Sequence, residues 1–470
     1  MSAPQVGPTT RFGRLESHSV LLGLSALQLV VVGVATLVAV LAVYSAGMTG
    51  LVLASPVWVP LLVVGGVQVG GRPVVEWLPL LAQWHTRRIS GVTAHAASTR
   101  TVTDGESFTL PGVGGRLDLV GCAALGGVLV VDRRAGSVTG VAAVVGSGFV
   151  LDEPGVQEHK VATWGRALAG LCQQPGVLRV QVLVRTRPGG LAPARRWWRE
   201  HTTGPREGLG GALASMLDEG FVTSHVRETL VAVSVRAPRR RVSAIDLAVV
   251  AKQLDAFATA LASADLSVQG WLGRDELKMA IRAAYEPGPV ARAEGGALTL
   301  QPACGVHERW RNVATGTAVH ATYWVSAWPR SSVHAAFLQP LLLGAVDDRT
   351  VSVIAEPLAA GKALREIRRA MVEHTADAAQ RARMGQIETE TTRSQVADLQ
   401  QREAELVAGH GDLRFTGLIT VTAADETELE QRCAQLESAA AQAMCEVQRL
   451  VGQQGVAHAA ACLPLARGVL

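Results

Sequence analysis

The nearest approach to recognisable chemistry in this chain lies at Gly361-Lys362, just beyond Glu356-Pro357-Leu358. A phosphate-binding loop needs Gly-x-x-x-x-Gly-Lys-Ser/Thr, because its amides and lysine cradle the phosphates and its hydroxyl holds the metal. Here Glu356 stands where the first glycine belongs and Ala363 replaces the hydroxyl, so the pattern fails at both ends. The chain has no Gly-x-Ser-x-Gly nucleophile elbow and no His-Glu-x-x-His pair. Gly146-Ser147-Gly148 reads as a turn, and His201 and His225 have no partner at a useful spacing. The six cysteines, Cys122, Cys172, Cys304, Cys433, Cys445 and Cys462, form no Cys-x-x-Cys. Structural zinc sites use close ligand pairs, so in a reducing compartment these thiols read as small buried apolar side chains. The sequence thus predicts no catalytic residue, no cofactor and no metal site.

Two clusters carry binding chemistry instead. Arg195-Arg196-Trp197-Trp198-Arg199 sets paired indoles among guanidiniums, a combination that interfaces favour. It suits an acidic protein partner or lipid head groups, and stacking on single-stranded nucleic acid is a further reading. The alternative is an amphipathic helix with its tryptophans packed inward and its arginines in water. The second cluster is Arg72, Trp77, Trp84, Arg87 and Arg88. Indoles beside arginines settle at the membrane–water interface, so these five are expected membrane-interface residues on a helix broken or kinked near Pro79. The alternative is an ordinary amphipathic helix packed on a soluble domain.

The elements that must position these clusters begin with an almost chargeless stretch. Between Glu16 and Arg72 the only ionisable side chains are His18 and Tyr44. Crossing about 30 Å of hydrocarbon takes about 20 apolar residues in a helix, and in lipid the backbone must satisfy its own hydrogen bonds. Val20 to Tyr44 and Leu51 to Val69 are two such runs, joined by Ser45-Ala46-Gly47-Met48-Thr49-Gly50, so a transmembrane helical hairpin is expected. A signal peptide has a shorter apolar core and no second run behind it. Arg11 and Arg14 before the hairpin, and Arg72, Arg87 and Arg88 after it, put both termini in the cytoplasm by the excess of basic residues on that side. The expected location is the plasma (inner) membrane, spanned twice.

Beyond the hairpin, short apolar runs alternate with helical periodicity, so the fold class is α+β. Residues 127–132 and 137–150 read as a strand hairpin, and Val161 to Cys172 as a helix ended by Pro175-Gly176. Strands follow at 180–184, 228–235, 318–327, 350–355 and 413–421, with helices at 243–261, 333–342 and 363–408. Asp425 with Glu428 marks a helix start, and 445–450 is a returning strand. This β-α-β element suggests ferredoxin-like packing. The expected divisions are an N-terminal arm 1–19, the hairpin 20–69, an interfacial segment 70–95, and two cytoplasmic α+β domains, 100–286 and 297–470. Net charge is only +4, from 44 basic and 40 acidic residues, too even a balance to favour sequence-specific nucleic-acid binding.

Tyr323-Trp324-Val325-Ser326-Ala327-Trp328-Pro329-Arg330, Asp347-Asp348-Arg349-Thr350-Val351-Ser352-Val353 and Glu356-Pro357-Leu358 resemble the N-terminal domain of conjugation-type (type IV) secretion ATPases. So do the long helical region, the strand 414–422 and Cys462-Leu463-Pro464, a string that in those ATPases leads into the motor domain. The hairpin and its exit Gly71-Arg72-Pro73 resemble the small two-span membrane subunit often fused to that ATPase. As a whole the chain resembles an actinobacterial integral membrane family of conjugation-like gene clusters. The resemblance implies a non-catalytic inner-membrane scaffold that docks a separate P-loop ATPase, beside a small two-span protein, in an oligomeric assembly within membrane lipid. A membrane-anchored subunit of type VII secretion, with the same hairpin-then-domain order, is the alternative, and a membrane-bound hydrolase is a further one.

Overall fold

The computed structural model describes residues 9–10, 26–69, 72–96, 107–174, 176–188, 197–198, 200–202, 208–219, 225–238, 242–286, 305–329, 333–344, 348–358, 360–383, 390–407 and 411–468. The chain is α+β and divides into two compact units, which are described separately.

The smaller unit holds three helices: α1 (Ala26–Leu53), α2 (Ser55–Gly66) and α3 (Val74–Ile89). Leu27–Leu53 is long and apolar enough to cross a membrane, and few of its residues are buried, with Val30, Leu37 and Leu41 among the exposed ones. The second span expected at Leu51 to Val69 is shorter in the structure, 12 residues in α2 followed by the extended Gln68–Val69. The expected six-residue link is helical except at Ala46 and Gly47, where Gly47 takes φ +62, a left-handed value that glycine adopts at no steric cost. Past this break the chain returns along itself. Gln28 Nε2 donates to the carbonyl of Gly65, 2.9 Å away and 37 residues on. That bond satisfies the one buried amide of an otherwise apolar pair. Helix α3 is continuous through Pro79, so it is not broken there. Pro79 falls in the second turn of α3, and the amide it lacks removes a single helical bond.

The larger unit is built on one continuous antiparallel sheet. Its longer strands are β1 (Leu117–Cys122), β2 (Gly127–Asp132), β3 (Ser137–Gly146), β4 (Val177–Pro188), β5 (His225–Arg236), β6 (Leu266–Trp271), β7 (Val319–Ala327), β8 (Arg349–Leu358), β9 (Asp412–Ala423) and β10 (Glu446–Arg449). Between them lie α4 (Pro154–Cys172), α5 (Leu209–Glu219), α6 (Ala244–Ser263), α7 (Arg274–Tyr285), α8 (Ala360–Arg383), α9 (Glu390–Val407), α10 (Glu426–Gln442) and α11 (Gln454–Cys462). The order through the centre is β10-β7-β9-β8-β4-β5-β3-β6, which reads the same from either end. β3, β4, β5 and β6 make one set; β7, β8, β9 and β10 repeat its order. The two sets join where β4 and β8 pair antiparallel, with Val184 opposite Val351. The expected β-α-β element at 412–449 is split: β9 and β10 do not pair with each other, and each pairs with β7 between them. The segments 100–286 and 297–470 therefore contribute to a single sheet in a single compact unit. Residues 287–304, read as their linker, lie outside the described residues.

Period-two alternation sorts the strand side chains onto two faces. On one face α4 and α6 cover Val131, Val180, Val231 and Val233, while α10 covers Ala321, Tyr323, Ile419 and Val421. On the other, α7 and α11 cover Val141, Leu183, Leu230, Ile354 and Leu418. Helix α6 starts on a reciprocal cap: Ser243 Oγ accepts from the amide of Asp246, whose carboxylate accepts from the amide of Ser243. Asp425 caps α10 in the same sense, accepting from Glu428 N, as the sequence spacing predicts. One expectation changes. The helix expected over 333–342 is the short strand Val333–His334 and a five-residue helix Gln339–Leu343, with Pro340 in its first turn, the helical position that proline favours. The long helical region expected over 363–408 holds two helices, α8 and α9, which pack through Ile367, Ala370, Leu399 and Leu406.

Candidate functional site

Trp197 and Trp198 are described, whereas Arg195, Arg196 and Arg199 lie outside the described residues. Trp197 is exposed (59%) and its ring stacks on His201, with centroids 4.7 Å apart and planes 12° apart. His201 Nδ1 lies 2.9 Å from the carbonyl of Trp197, one helical turn back. Trp198 is half-buried. In the smaller unit Trp84 is buried and Trp77 half-buried, Arg87 is half-buried and Arg88 exposed. Arg72 opens a two-residue strand before α3. Of the two indoles on α3, Trp77 is the one that keeps surface to offer.

The turn Gly146-Ser147-Gly148 carries more than the sequence suggests. Lys160 Nζ, from the first turns of α4, donates to Ser147 Oγ (2.5 Å), the carbonyl of Gly148 (2.8 Å) and Asp152 (2.8 Å), and pairs with Asp265 (2.9 Å). Ser147 in turn donates to Asp265. A Ser–Lys nucleophilic dyad needs a neutral amine to accept the hydroxyl proton. The bonds to Asp152 and Asp265 instead raise the Lys160 pKa, and those from Ser147 and Lys160 lower that of Asp265. The amine stays charged, so the group is an ion-pair clamp that holds the loop after β3 to the turn before β6. An open groove of about 370 Å³ lies nearby, lined by His159, Thr163, Arg166, Ala260 and Ser263. Its one guanidinium is already turned onto Thr163 Oγ1, 3.0 Å away.

The densest polar arrangement is buried. On the α7/α11 face, β4 offers Gln181 and Arg185, β7 His320 and Thr322, β8 Thr350 and Ser352, and β9 Thr420 and Thr422, all almost fully buried. The alanine-rich α11 and the residues after it lie over this seam and are tied to it by side-chain to main-chain bonds running both ways. Gln454 Oε1 accepts from Thr322 N (2.8 Å) and its Nε2 donates to Thr322 O (3.1 Å), imitating a strand partner. Gln181 donates to Ser352 Oγ and to Ala460 O and accepts from Ala466 N, at 2.7–3.0 Å. Arg185 donates to Cys462 O (2.8 Å) and to Glu228 (3.2 Å). Sequence reasoning placed none of these in a site. Thr420, in the strand expected at 413–421, is buried fully because α11 closes over it. The available signal was the recurrence of His320/Thr322, Thr350/Ser352 and Thr420/Thr422 at period two opposite an alanine-rich run.

Among the described residues no group of three His, Cys, Asp or Glu side chains is arranged to hold a metal ion. Cys122, Cys433, Cys445 and Cys462 are buried and Cys172 half-buried, all as free thiols. Burial pushes Cys172 and Cys445 up to about 11, which keeps both protonated and unreactive at neutral pH. Cys304 lies outside the described residues. Compared with protein-family models the chain matches none, and comparison with curated proteins likewise gives no match.

Proposed function

We propose that this chain is a non-catalytic membrane scaffold of a type IV secretion-like apparatus, docking a separate cytoplasmic P-loop ATPase. The observation that carries the reading is α1: its 27 residues from Leu27 to Leu53 leave their apolar surface uncovered by protein, as a lipid-facing helix does. In this reading α1 and α2 insert as a hairpin with both chain termini in the cytoplasm. The break at Ala46–Gly47 supports it, since about 20 residues lie on either side, enough to span the hydrocarbon. The Gln28–Gly65 bond supports it too, because a polar side chain in lipid needs an internal partner. Trp77, Trp84, Arg72, Arg87 and Arg88 mark the interface, and Trp197 is a partner or lipid contact with its neighbouring arginines. Each four-strand set is read as a ferredoxin-like unit, on the strength of its strand order.

The scaffold role itself rests on the resemblance to motor-less secretion ATPase domains and on the failed phosphate loop at Gly361-Lys362. A membrane tether raises the local concentration of its partners, so a modest docking interface suffices. The test is to tag the C-terminus, extract membranes in mild detergent and identify what co-purifies. A stoichiometric P-loop ATPase and a small two-span protein are the expected companions. Recovery of this chain alone, or turnover by it that a single Asp, Glu or Ser substitution abolishes, overturns the proposal.

A further inference from the structure

The polar seam beneath α11 contains one arrangement its hydrogen bonds do not explain. His320 and His458 are both fully buried, with ring centroids 4.6 Å apart, and Tyr285 of α7 lies 5.4 Å from His458. His320 uses Nδ1 toward Thr422 Oγ1 (2.9 Å). Its Nε2 and both nitrogens of His458 close no hydrogen bond of good geometry, although the main chain of Tyr285 lies beside the His320 ring and that of Ala284 beside the His458 ring. Three buried ring nitrogens left this way, with Arg185 Nε also unpaired in the same seam, are a local cost in this layer. The groups facing the pair are Arg185 from β4, Tyr285 from α7 and Cys462 from α11 itself; Asp348 lies beyond Cys462, and Glu228 of β5 is occupied by Arg185. The net charge close to the pair is therefore positive, and a second positive charge has no counter-ion there.

We infer that Gln454–Ala466 is an acid-releasable cover over this seam, loosened when the His320–His458 pair takes up a proton. Burial already holds both imidazoles neutral: it lowers His320 to about 4, and burial with the neighbouring His320 and Arg185 takes His458 well below its ordinary value. A proton on either ring is poorly tolerated in place and is accommodated by bringing that ring to water. The covering segment is the element that can move. Beyond the packing of Ala457, Ala461, Leu463 and Leu465 in the core, it is tied to the sheet by the side chains of Gln181, Arg185 and Gln454, whereas the strands beneath it are locked by full ladders. A segment without ladder bonds can open below the free energy of global unfolding.

Cys462 sits in the cover and reports on it. The full-length protein in mild detergent is treated with 4,4′-dithiodipyridine, which reacts with thiols at acid as well as neutral pH, and each cysteine is followed by peptide mass. Cys433 in α10, buried on the opposite face, is the reference. Taking His320 alone, the ratio of Cys462 to Cys433 labelling is expected to rise on the order of 100-fold from pH 7.5 to 4.5. His458→Phe is expected to flatten that rise, and His320→Leu provides the same readout should the first variant fail to accumulate. A constant ratio overturns the inference, as does a rise in which Cys433 keeps step. So does a rise left unchanged in whichever histidine variants fold.

Discussion

The two four-strand sets share a strand order and differ in almost everything attached to it. In the first, β3 connects to β4 through the 19-residue α4; in the second, the matching connection between β7 and β8 shrinks to Gln339–Leu343. Between the second and third strands the imbalance reverses. The first set carries α5 and the exposed Trp197 there, and the second carries the packed pair α8 and α9. The helices that follow the third strands, α6 and α10, are conserved in place and in role, each burying one face against its own strands. A scaffold repeated around the β4–β8 junction thus supports different insertions. Docking differences are expected in those insertions, since the shared frame is occupied with holding the sheet.

The first way to break this comparison is through the frame. Leu254 of α6 and Leu429 of α10 each pack on their own set's strands and are both fully buried. Leu254→Ala and Leu429→Ala should each cost about 2–5 kcal/mol, the transfer term plus the cavity left behind. Because β4 and β8 join the sets into one sheet, each variant should still unfold the larger unit in a single transition by urea. Two separated transitions would show that the sets are independent domains after all.

The second concerns pH and separates the sets by their outer helices. α11 carries His458 over His320, and α7, which follows β6 as α11 follows β10, carries no imidazole. The His320 pKa is about 4 in the folded protein and 6.5 in an unfolded chain. Above pH 6.5 both states are neutral and stability does not depend on this group. From 6.5 down to about 4 only the unfolded chain binds the proton, so stability falls, by about 3 kcal/mol over the window. Urea midpoints measured from pH 7.5 to 4.5 should decline in the wild-type protein and decline less in His320→Leu.

Much of this frame was legible in the sequence and little of the seam was. Alternation in 413–421 and the Asp425–Glu428 spacing located a strand and a helix start within a residue or two, since both signals are local. The palindromic order depends on which strands pair over long separations, Val180 with Ala355 among them, and no local pattern encodes that. Thr420 and Thr422 are hydroxyls at period two, and period alone cannot tell a wet face from one covered by α11. The histidine pair is less legible still: His320 and His458 are 138 positions apart and meet only once the sheet has formed. The Trp197 cluster was visible at once, because exposed tryptophan beside arginine is an anomaly of composition.

The cover itself can be sharpened with Gln454. Its amide bonds both main-chain groups of Thr322, and in Gln454→Leu the buried Thr322 amide loses its acceptor while the carbonyl keeps a bond from Leu450 N. A single buried donor left unsatisfied costs about 1–3 kcal/mol. The loss should appear first as faster hydrogen exchange in 454–466, with the strands β4, β8 and β9 still protected. Equal loss of protection in the strands would mean that the cover and the sheet open as one.

The smallest effect is expected at the clamp around Lys160, which has no counterpart described in the second set. Lys160→Met removes a cation bound to Ser147, Gly148, Asp152 and Asp265 at the protein surface. Exposed ion pairs contribute little and are screened by salt. The melting temperature should therefore fall only slightly, and the difference should shrink further in 1 M salt. The clamp's consequence is local: it fixes the loop between β3 and α4 against Asp265, a non-glycine residue held at φ +60. Released from Lys160, that turn loses its reason to stay left-handed, so exchange at residues 147–153 and 264–266 should quicken. If the melting temperature instead drops as far as in Leu254→Ala, the clamp belongs to the shared frame, and the contrast between frame and insertions would have to be redrawn.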